Sequence, residues 1–310
     1  MYINKHKMPR TPQLPNFLEI VRYEIDELDK SPSTKTNLKT ALNKLHEATS
    51  KNLYDTIWDI YDNKISDKVN TKATFISQIN SLIMLTSLGK DFTAKQVKQI
   101  RLEFDVLLLK KHEHSTSRKA SEKEKKNYVE WNELVAGLDR LDGMPKLFYA
   151  LYTLQPPLRA DYGDVKVMLD KDVEDNMRTG DNIYIKDTNE MIISNFKTSN
   201  NKEPIVFYPN QKLEKIIQDS LKETPRDYLL YNYVKKTKDE SISPNYLGHQ
   251  LQIITNDLFG KSISINDLRH SFVESHNITN SGLQEINTNA RLMGHSVRTA
   301  INMYMKNDIK

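Results

Sequence analysis

Between Leu14 and about Lys111 the apolar residues return at steps of three and four, and that period restricts the fold more than any other feature of the chain. Phe17, Ile20, Val21, Ile25 and Leu28 form a first stripe. Ser31-Pro32-Ser33-Thr34 then breaks the run and offers a cap for a second helix. Leu38, Leu42, Leu45 and His46 continue the pattern, Leu53, Ile57, Ile60 and Tyr61 make a third stripe, and Phe75, Ile76, Ile79, Leu82, Ile83 and Leu85 a fourth. A fifth helix is predicted from near Thr93, carrying Val97, Ile100, Leu102, Phe104, Leu107 and Leu108. β-type alternation is scarce here, so residues 14–111 are expected to form an all-α bundle with these stripes as its core. Lys35, Lys39, Lys44, Lys51 and Lys72 are scattered over the opposite faces, and residues 1–13, polar and punctuated by proline, read as a flexible arm.

A length of 310 residues favours two domains over one, and the boundary is placed at residues 112–127, where Ser, Lys and Glu crowd out apolar residues. From Lys110 to Lys126 the bases are Lys110, Lys111, Arg118, Lys119, Lys123, Lys125 and Lys126, against Glu113, Glu122 and Glu124. That is 7 − 3 = +4, equal to the formal surplus of the whole chain, 45 Lys+Arg against 41 Asp+Glu. Bases so concentrated can displace counterions from nucleic-acid phosphates. A solvated linker accounts for the same charges equally well. His46, His112 and His114 lack partners at metal-ligand spacing, and no metal is expected. With no cysteine there is no disulfide framework or thiol nucleophile, which is compatible with a reducing, intracellular setting. No apolar run approaches the roughly 20 residues of a membrane span, and the start lacks the apolar core of a signal peptide.

Helical pattern resumes at Tyr128 to Leu134, with Trp131 as a core residue, and continues through Leu138, Leu141, Met144, Leu147, Phe148, Leu151 and Leu154 until Gln155-Pro156-Pro157 stops it. Pro157 suits the first position of a new helix, which would put Arg159 in a first turn whose free N–H groups favour an anion. Short strands are expected at Asn182 to Ile185, Met191 to Phe196 and Ile205 to Tyr208, with residues 197–202 as a hairpin tip. Gln211 to Leu221, Tyr228 to Tyr233 and Asn245 to Phe259 read as helices. The fold class is therefore mainly α with a small β-hairpin or sheet, an α+β chain.

The chemistry gathers near the C-terminus. Leu268-Arg269-His270-Ser271-Phe272 is followed by Met293-Gly294-His295-Ser296, and Tyr304 comes 304 − 295 = 9 residues after the histidine. A phenol can attack phosphorus, and guanidiniums, permanently charged and bidentate, suit the phosphoryl oxygens. The ordered set resembles the active-site signature of the tyrosine recombinases, the phage-integrase family. In that resemblance Arg159 of Pro157-Leu158-Arg159 matches the first arginine, Lys197 of Phe196-Lys197-Thr198 the hairpin lysine that protonates the leaving oxygen, and Arg269 the second arginine. His295 matches the His/Trp position on the scissile phosphate, and Tyr304 the nucleophile. Lys202 rivals Lys197 on the same hairpin.

The match covers residues 128–310, implied to be the catalytic domain. Residues 14–111 resemble the core-binding, DNA-binding domain in position and helicity, with 112–127 as a basic linker. The resemblance implies a site-specific recombinase or integrase that cleaves and rejoins double-stranded DNA through a 3′-phosphotyrosyl intermediate. It needs no cofactor, acts as a tetramer on two duplexes, and would be DNA-associated in the cytoplasm or nucleus of a host. A mobile element or virus is the source that analogy suggests. Arg291 and Arg298 lie near His295 and either hold flanking phosphates or form structural ion pairs; Met305 to Lys310 is short for an exchanged C-terminal element. Two positions depart from the family pattern. Asn266 stands where a histidine is usual, three before Arg269, and cannot act as a base. His270 is a supporting position about 100° round the helix from Arg269. The acidic residue usual three after the first arginine is replaced by Tyr162, with Asp161 beside it. A catalytically impaired DNA-binding protein of the same fold, or a type IB topoisomerase or telomere resolvase, are the alternatives.

Overall fold

The computed structural model describes residues 14–48, 52–116, 119–196, 203–276 and 283–305. The expected arm, Arg118, Lys197, Lys202 and the tail beyond Met305 lie outside these residues. The chain divides into two compact units, Met1–His114 and Ser115–Lys310.

In the first unit the described elements are helices α1 (Leu14–Glu27), α2 (Pro32–Glu47), α3 (Leu53–Asn63), α4 (Val69–Leu85) and α5 (Ala94–Thr116), with a 3-10 turn at Ser87–Asp91. The starts are built as the sequence implies. Ser31 Oγ accepts from Thr34 N at 3.3 Å and Asn52 Oδ1 from Asp55 N at 2.9 Å. Thr93 and Gln96 satisfy one another's backbone N–H groups before α5. Val21, Ile25, Leu38, Leu42, Ile57, Ile76, Ile79, Leu82 and Ile100 fill one core. Five residues expected in its stripes do not: Ile20, His46, Leu85, Leu102 and Leu108 are exposed. Ile20 precedes fully buried Val21 and Leu108 follows buried Leu107, and the turn of about 100° between successive helical residues carries Ile20 and Leu108 off the buried face here.

The second unit opens on α6 (Glu122–Asn127), α7 (Trp131–Gly137), a 3-10 turn (Leu138–Arg140) and α8 (Gly143–Thr153). The stretch expected as linker is thus helical at both ends: residues 112–116 continue α5, and α6 ends on buried Asn127, whose amide donates to Ser262 O and Asp267 Oδ2. α8 is buried without interruption from Leu147 to Thr153 and forms the centre of the unit, packed against α10 (Gln211–Glu223) and α11 (Pro244–Phe259). The sheet runs β1 (Lys166–Met168), β2 (Asn182–Ile185), β3 (Glu190–Ile193), β4 (Ile205–Phe207), with α9 (Asp175–Gly180) before β2. β1 is parallel to β2 and the other pairs are antiparallel. Alternate residues serve opposite faces: Tyr184, Met191 and Ile193 enter the main core, whereas Ile183, Ile185 and Ile192 pack under Val173 and Met177 beside α9. In β2 and β3 both faces are covered, which explains why these strands read as apolar runs.

Two expectations fail here. Tyr228 to Tyr233 is not helical: Leu229 N donates to Val165 O and Val167 N to Asp227 O, both at 2.8 Å, so this segment prolongs the sheet edge beside β1. No helix begins at Pro157. Residues 157–159 have no regular secondary structure and 161–164 form a turn, and Gly163 O accepts from Ile242 N at 2.8 Å. A side chain at Gly163 would bring a Cβ to 2.3 Å from Ile242 O, so only glycine permits that approach. The chain closes with α12 (Ile265–Ser275), α13 (Leu283–Leu292), α14 (Val297–Thr299) and a π-helical turn at Ala300–Tyr304.

Candidate active site

α12 is clamped at its start by a reciprocal cap, Ser264 Oγ accepting from Asp267 N while Asp267 Oδ2 accepts from Ser264 N. Every residue from Asp267 to Val273 is buried. Leu268, Phe272 and Val273 enter the core, and the Phe272 ring meets Trp131 edge-on at 5.1 Å. That packing fixes the register of Arg269, which has no exposed surface at all. Its Nη1 donates to Pro157 O at 2.8 Å and to Met293 O at 3.0 Å. A guanidinium has five N–H groups, so 5 − 2 = 3 remain, on Nε and Nη2, and neither atom has a hydrogen-bond partner. Burial lowers the proton affinity of Arg269, and Tyr304 opposes that shift. The contact is with the ring face, whose centroid lies 4.7 Å from the guanidinium carbon, and no hydrogen bond of ordinary geometry joins the two.

Arg159 arrives from the irregular segment rather than from a helix start. Tyr152 Oη donates to its carbonyl at 2.7 Å, and its Nη1 reaches Gly294 O at 3.5 Å. Gly294, with φ +70°, ends α13 in the left-handed conformation. The two arginines are thus tethered to successive carbonyls, Met293 and Gly294, at the C-terminal end of α13, where the helix dipole favours cations. Asp161 lies within electrostatic reach of both. Burial raises its carboxyl to about 6 against the pull of Arg159 and Arg269. Asn182, at the start of β2, fastens this loop to the hairpin. Its Nδ2 donates to Asp161 O, Asp164 Oδ1 and Asn195 O, and its Oδ1 accepts from the Ser194 and Asn195 N–H groups. Lys197 follows two residues later, outside the described residues.

Tyr304 is buried, 8% exposed, and its ring meets the Arg269 guanidinium and two imidazoles. His295 stacks on it at 5.2 Å and 22°, and His270 meets it edge-on at 5.1 Å. His295 Nδ1 lies 3.1 Å from Ser296 O, and His270 Nδ1 lies 2.8 Å from Tyr304 O. The four sequence-expected groups within the described residues, Arg159, Arg269, His295 and Tyr304, therefore come together. So does His270, which a helical wheel alone places off the site. Asn266 does not join them and is exposed in the first turn of α12.

The expected DNA contacts are dispersed. Lys110, Lys119, Lys123, Lys126, Arg291 and Arg298 are exposed, and Lys125 lies 4.0 Å from Glu122. Lys111 stands at one end of a groove of about 320 Å³ in the first unit, between α2, α4 and α5. Thr34, Asn37, Thr74, Ser77, Gln78 and Ser81 line it, and Lys44 stands in an adjoining hollow with Thr40 and Asn70. The sequence reading misses this hydroxyl- and amide-rich face. Its signal is the recurrence of Ser, Thr, Asn and Gln opposite the apolar stripe of α4. Among the described residues no group of three His, Asp or Glu side chains converges to hold a metal, and no helix is long and apolar enough to cross a membrane.

No family model matches the chain, and no curated protein matches it in sequence. Among solved structures it aligns with one described as "Crystal structure of XerA recombinase", at a TM-score of 0.41 and 12% identity over 94% of each chain. A likeness that distant leaves the functional reading to the geometry of the site.

Proposed function

We propose that the chain is a DNA strand transferase that cleaves a phosphodiester with Tyr304 and holds it as a 3′-phosphotyrosine. One observation carries this reading. Arg269, fully buried, commits only Nη1 to the protein and leaves its Nε/Nη2 edge, a bidentate fork suited to two phosphate oxygens, without partners beside the Tyr304 ring. Arg159, tethered one carbonyl further along, adds a second guanidinium to the same seat. Charge placed in advance at a dry site is commonly the largest contribution to catalysis.

In the proposed step the Tyr304 phenol oxygen bonds to phosphorus, the 5′ oxygen leaves, and Lys197 gives that oxygen a proton. With Nδ1–H donated to Ser296 O, the neutral His295 ring presents Nε2 as an acceptor. That atom takes the phenolic proton and afterwards donates to the phosphate. Asn266, exposed and unable to accept a proton, has no part in this transfer. The bundle of the first unit grips the duplex through the polar face of α2 and α4, and rejoining two duplexes requires four copies of the chain.

The test is a nicked suicide duplex incubated with purified protein and analysed in SDS. Wild type is expected to form a resistant adduct and Tyr304→Phe none. Tight duplex binding with no adduct on any candidate site would replace this reading with that of a non-catalytic DNA-binding protein. Relaxation of plasmids lacking a specific site would favour a topoisomerase.

A further inference from the structure

α6 begins 122 − 114 = 8 residues after the boundary between the two units and docks on α12 at two points one turn apart. Asn127 Nδ2 bonds Ser262 O and Asp267 Oδ2, and Glu124 Oε1 lies 3.2 Å from His270 Nε2. The Glu124 carboxylate is held at both oxygens, since Oε2 accepts from Ser121 N at 2.6 Å in the capping box of α6. On its other side, His270 Nδ1 lies 2.8 Å from Tyr304 O. A carbonyl and a carboxylate oxygen accept, so both ring nitrogens face acceptors. Hydrogen bonding to His270 holds the Glu124 carboxyl down to about 2, which keeps it ionised at any working pH. His270 faces Glu124 on α6 and the Tyr304 ring and carbonyl on the closing turn, and its helical neighbour Arg269 lies over the same ring.

We propose that Glu124 and His270 are positioning residues, a strut that ties the nucleophile-bearing turn, Ala300–Tyr304, to the segment leading out of the first unit. The inference rests on the reading of Tyr304 as the nucleophile. A π-helical turn whose last carbonyl is bonded by a ring that is itself held by Glu124 has a defined height above α12, and the phenol is placed by that height. Misplacement of a reacting group by about 1 Å costs about 10²-fold in rate. Displacement of α6 breaks the Glu124 contact first, so whatever moves the connecting segment also moves the nucleophile.

Four variants and three readouts test the strut. Glu124→Ala is expected to slow single-turnover adduct formation about 10- to 100-fold while leaving duplex affinity within about two-fold. Glu124→Gln is expected to restore most of the rate, because its amide donates to Nε2 of a neutral ring whose Nδ1–H still meets Tyr304 O. His270→Asn, which keeps an N–H near the Nδ1 position, is expected to outperform His270→Ala. Hydrogen exchange of residues 297–305 reads the same strut without chemistry and should rise in Glu124→Ala but not in Glu124→Gln. Wild-type adduct rate and wild-type exchange in Glu124→Ala, or a Glu124→Gln variant as slow as Glu124→Ala, would overturn the strut and leave the strand-transferase reading standing. Absence of any wild-type adduct, with exchange behaving as expected, would remove that reading and the assignment to a nucleophile with it.

Discussion

Arg269→Lys separates the charge of Arg269 from its geometry. The substitution keeps a cation at a site with no exposed surface, so the Tyr304 ring and the Met293 carbonyl keep a positive partner. An ammonium has three N–H groups, and two of them replace the bonds to Pro157 O and Met293 O, leaving one where arginine leaves three. The bidentate edge is lost. Hydrogen bonds to charged groups contribute about 1.5–3 kcal/mol each, so losing two from the transition state costs about 3–6 kcal/mol. At about 1.4 kcal/mol per decade, adduct formation should fall about 10²- to 10⁴-fold. Duplex affinity should change far less, because one phosphate contact is a small part of a binding surface. The assay is single-turnover cleavage of the suicide duplex at saturating protein, with thermal unfolding as the control for fold. An Arg269→Lys variant within about three-fold of wild type would refute the idea that the Nε/Nη2 edge holds the scissile phosphate.

Other perturbations follow from the same geometry. Burial raises the Asp161 carboxyl to about 6, so the folded state binds that proton more tightly than the unfolded chain does. The associated stability is present below about pH 4 and is lost as pH rises to about 6. Asp161→Asn should therefore gain on wild type across that window, by about 3 kcal/mol, and hold a constant advantage above it; parallel denaturant midpoints from pH 4 to 7 would contradict this. Gly163→Ala forces a Cβ to 2.3 Å from Ile242 O, and should cost about 2 kcal/mol or more and depress adduct formation by shifting the Arg159 segment. Thermal melts and the suicide substrate read the two effects. Lys111→Ala, in the polar groove, and Lys44→Ala, in the hollow beside it, should each reduce the slope of log affinity against log salt by about 0.9. An unchanged slope in duplex anisotropy titrations would remove that face from the DNA contact.

The helices are legible because their stripes and caps are local. Ser31, Asn52 and Ser264 accept from N–H groups three residues on, well within any sequence window. Expectations fail where a partner far along the chain overrides local preference. Pro157 looks like a helix start, yet its carbonyl accepts from Arg269, 112 residues away, and is not available to an intrahelical N–H. Tyr228 to Tyr233 has a helical sequence pattern, but its backbone pairs with Val165 and Val167 beside β1, a strand too short to announce itself.

The site divides along the same line. A phenol, two guanidiniums and an imidazole have reactivity of their own, and their order along the chain is enough to suggest what they do together. What holds them has no such signature. The anchors of both arginines are main-chain carbonyls, which any residue supplies. Glu124 counts in the sequence as one negative charge among lysines, whereas in the folded chain it is the ion partner of a histidine 270 − 124 = 146 residues away. A helical wheel places His270 off the site because about 100° separates it from Arg269. That inference assumes the nucleophile approaches one face of α12. Instead the Tyr304 ring spans the gap, 4.7 Å from the Arg269 guanidinium carbon and 5.1 Å from the His270 ring, and its carbonyl turns toward the histidine. One large side chain over two adjacent residues makes both of them part of the site, and that geometry exists only once the closing turn has been placed.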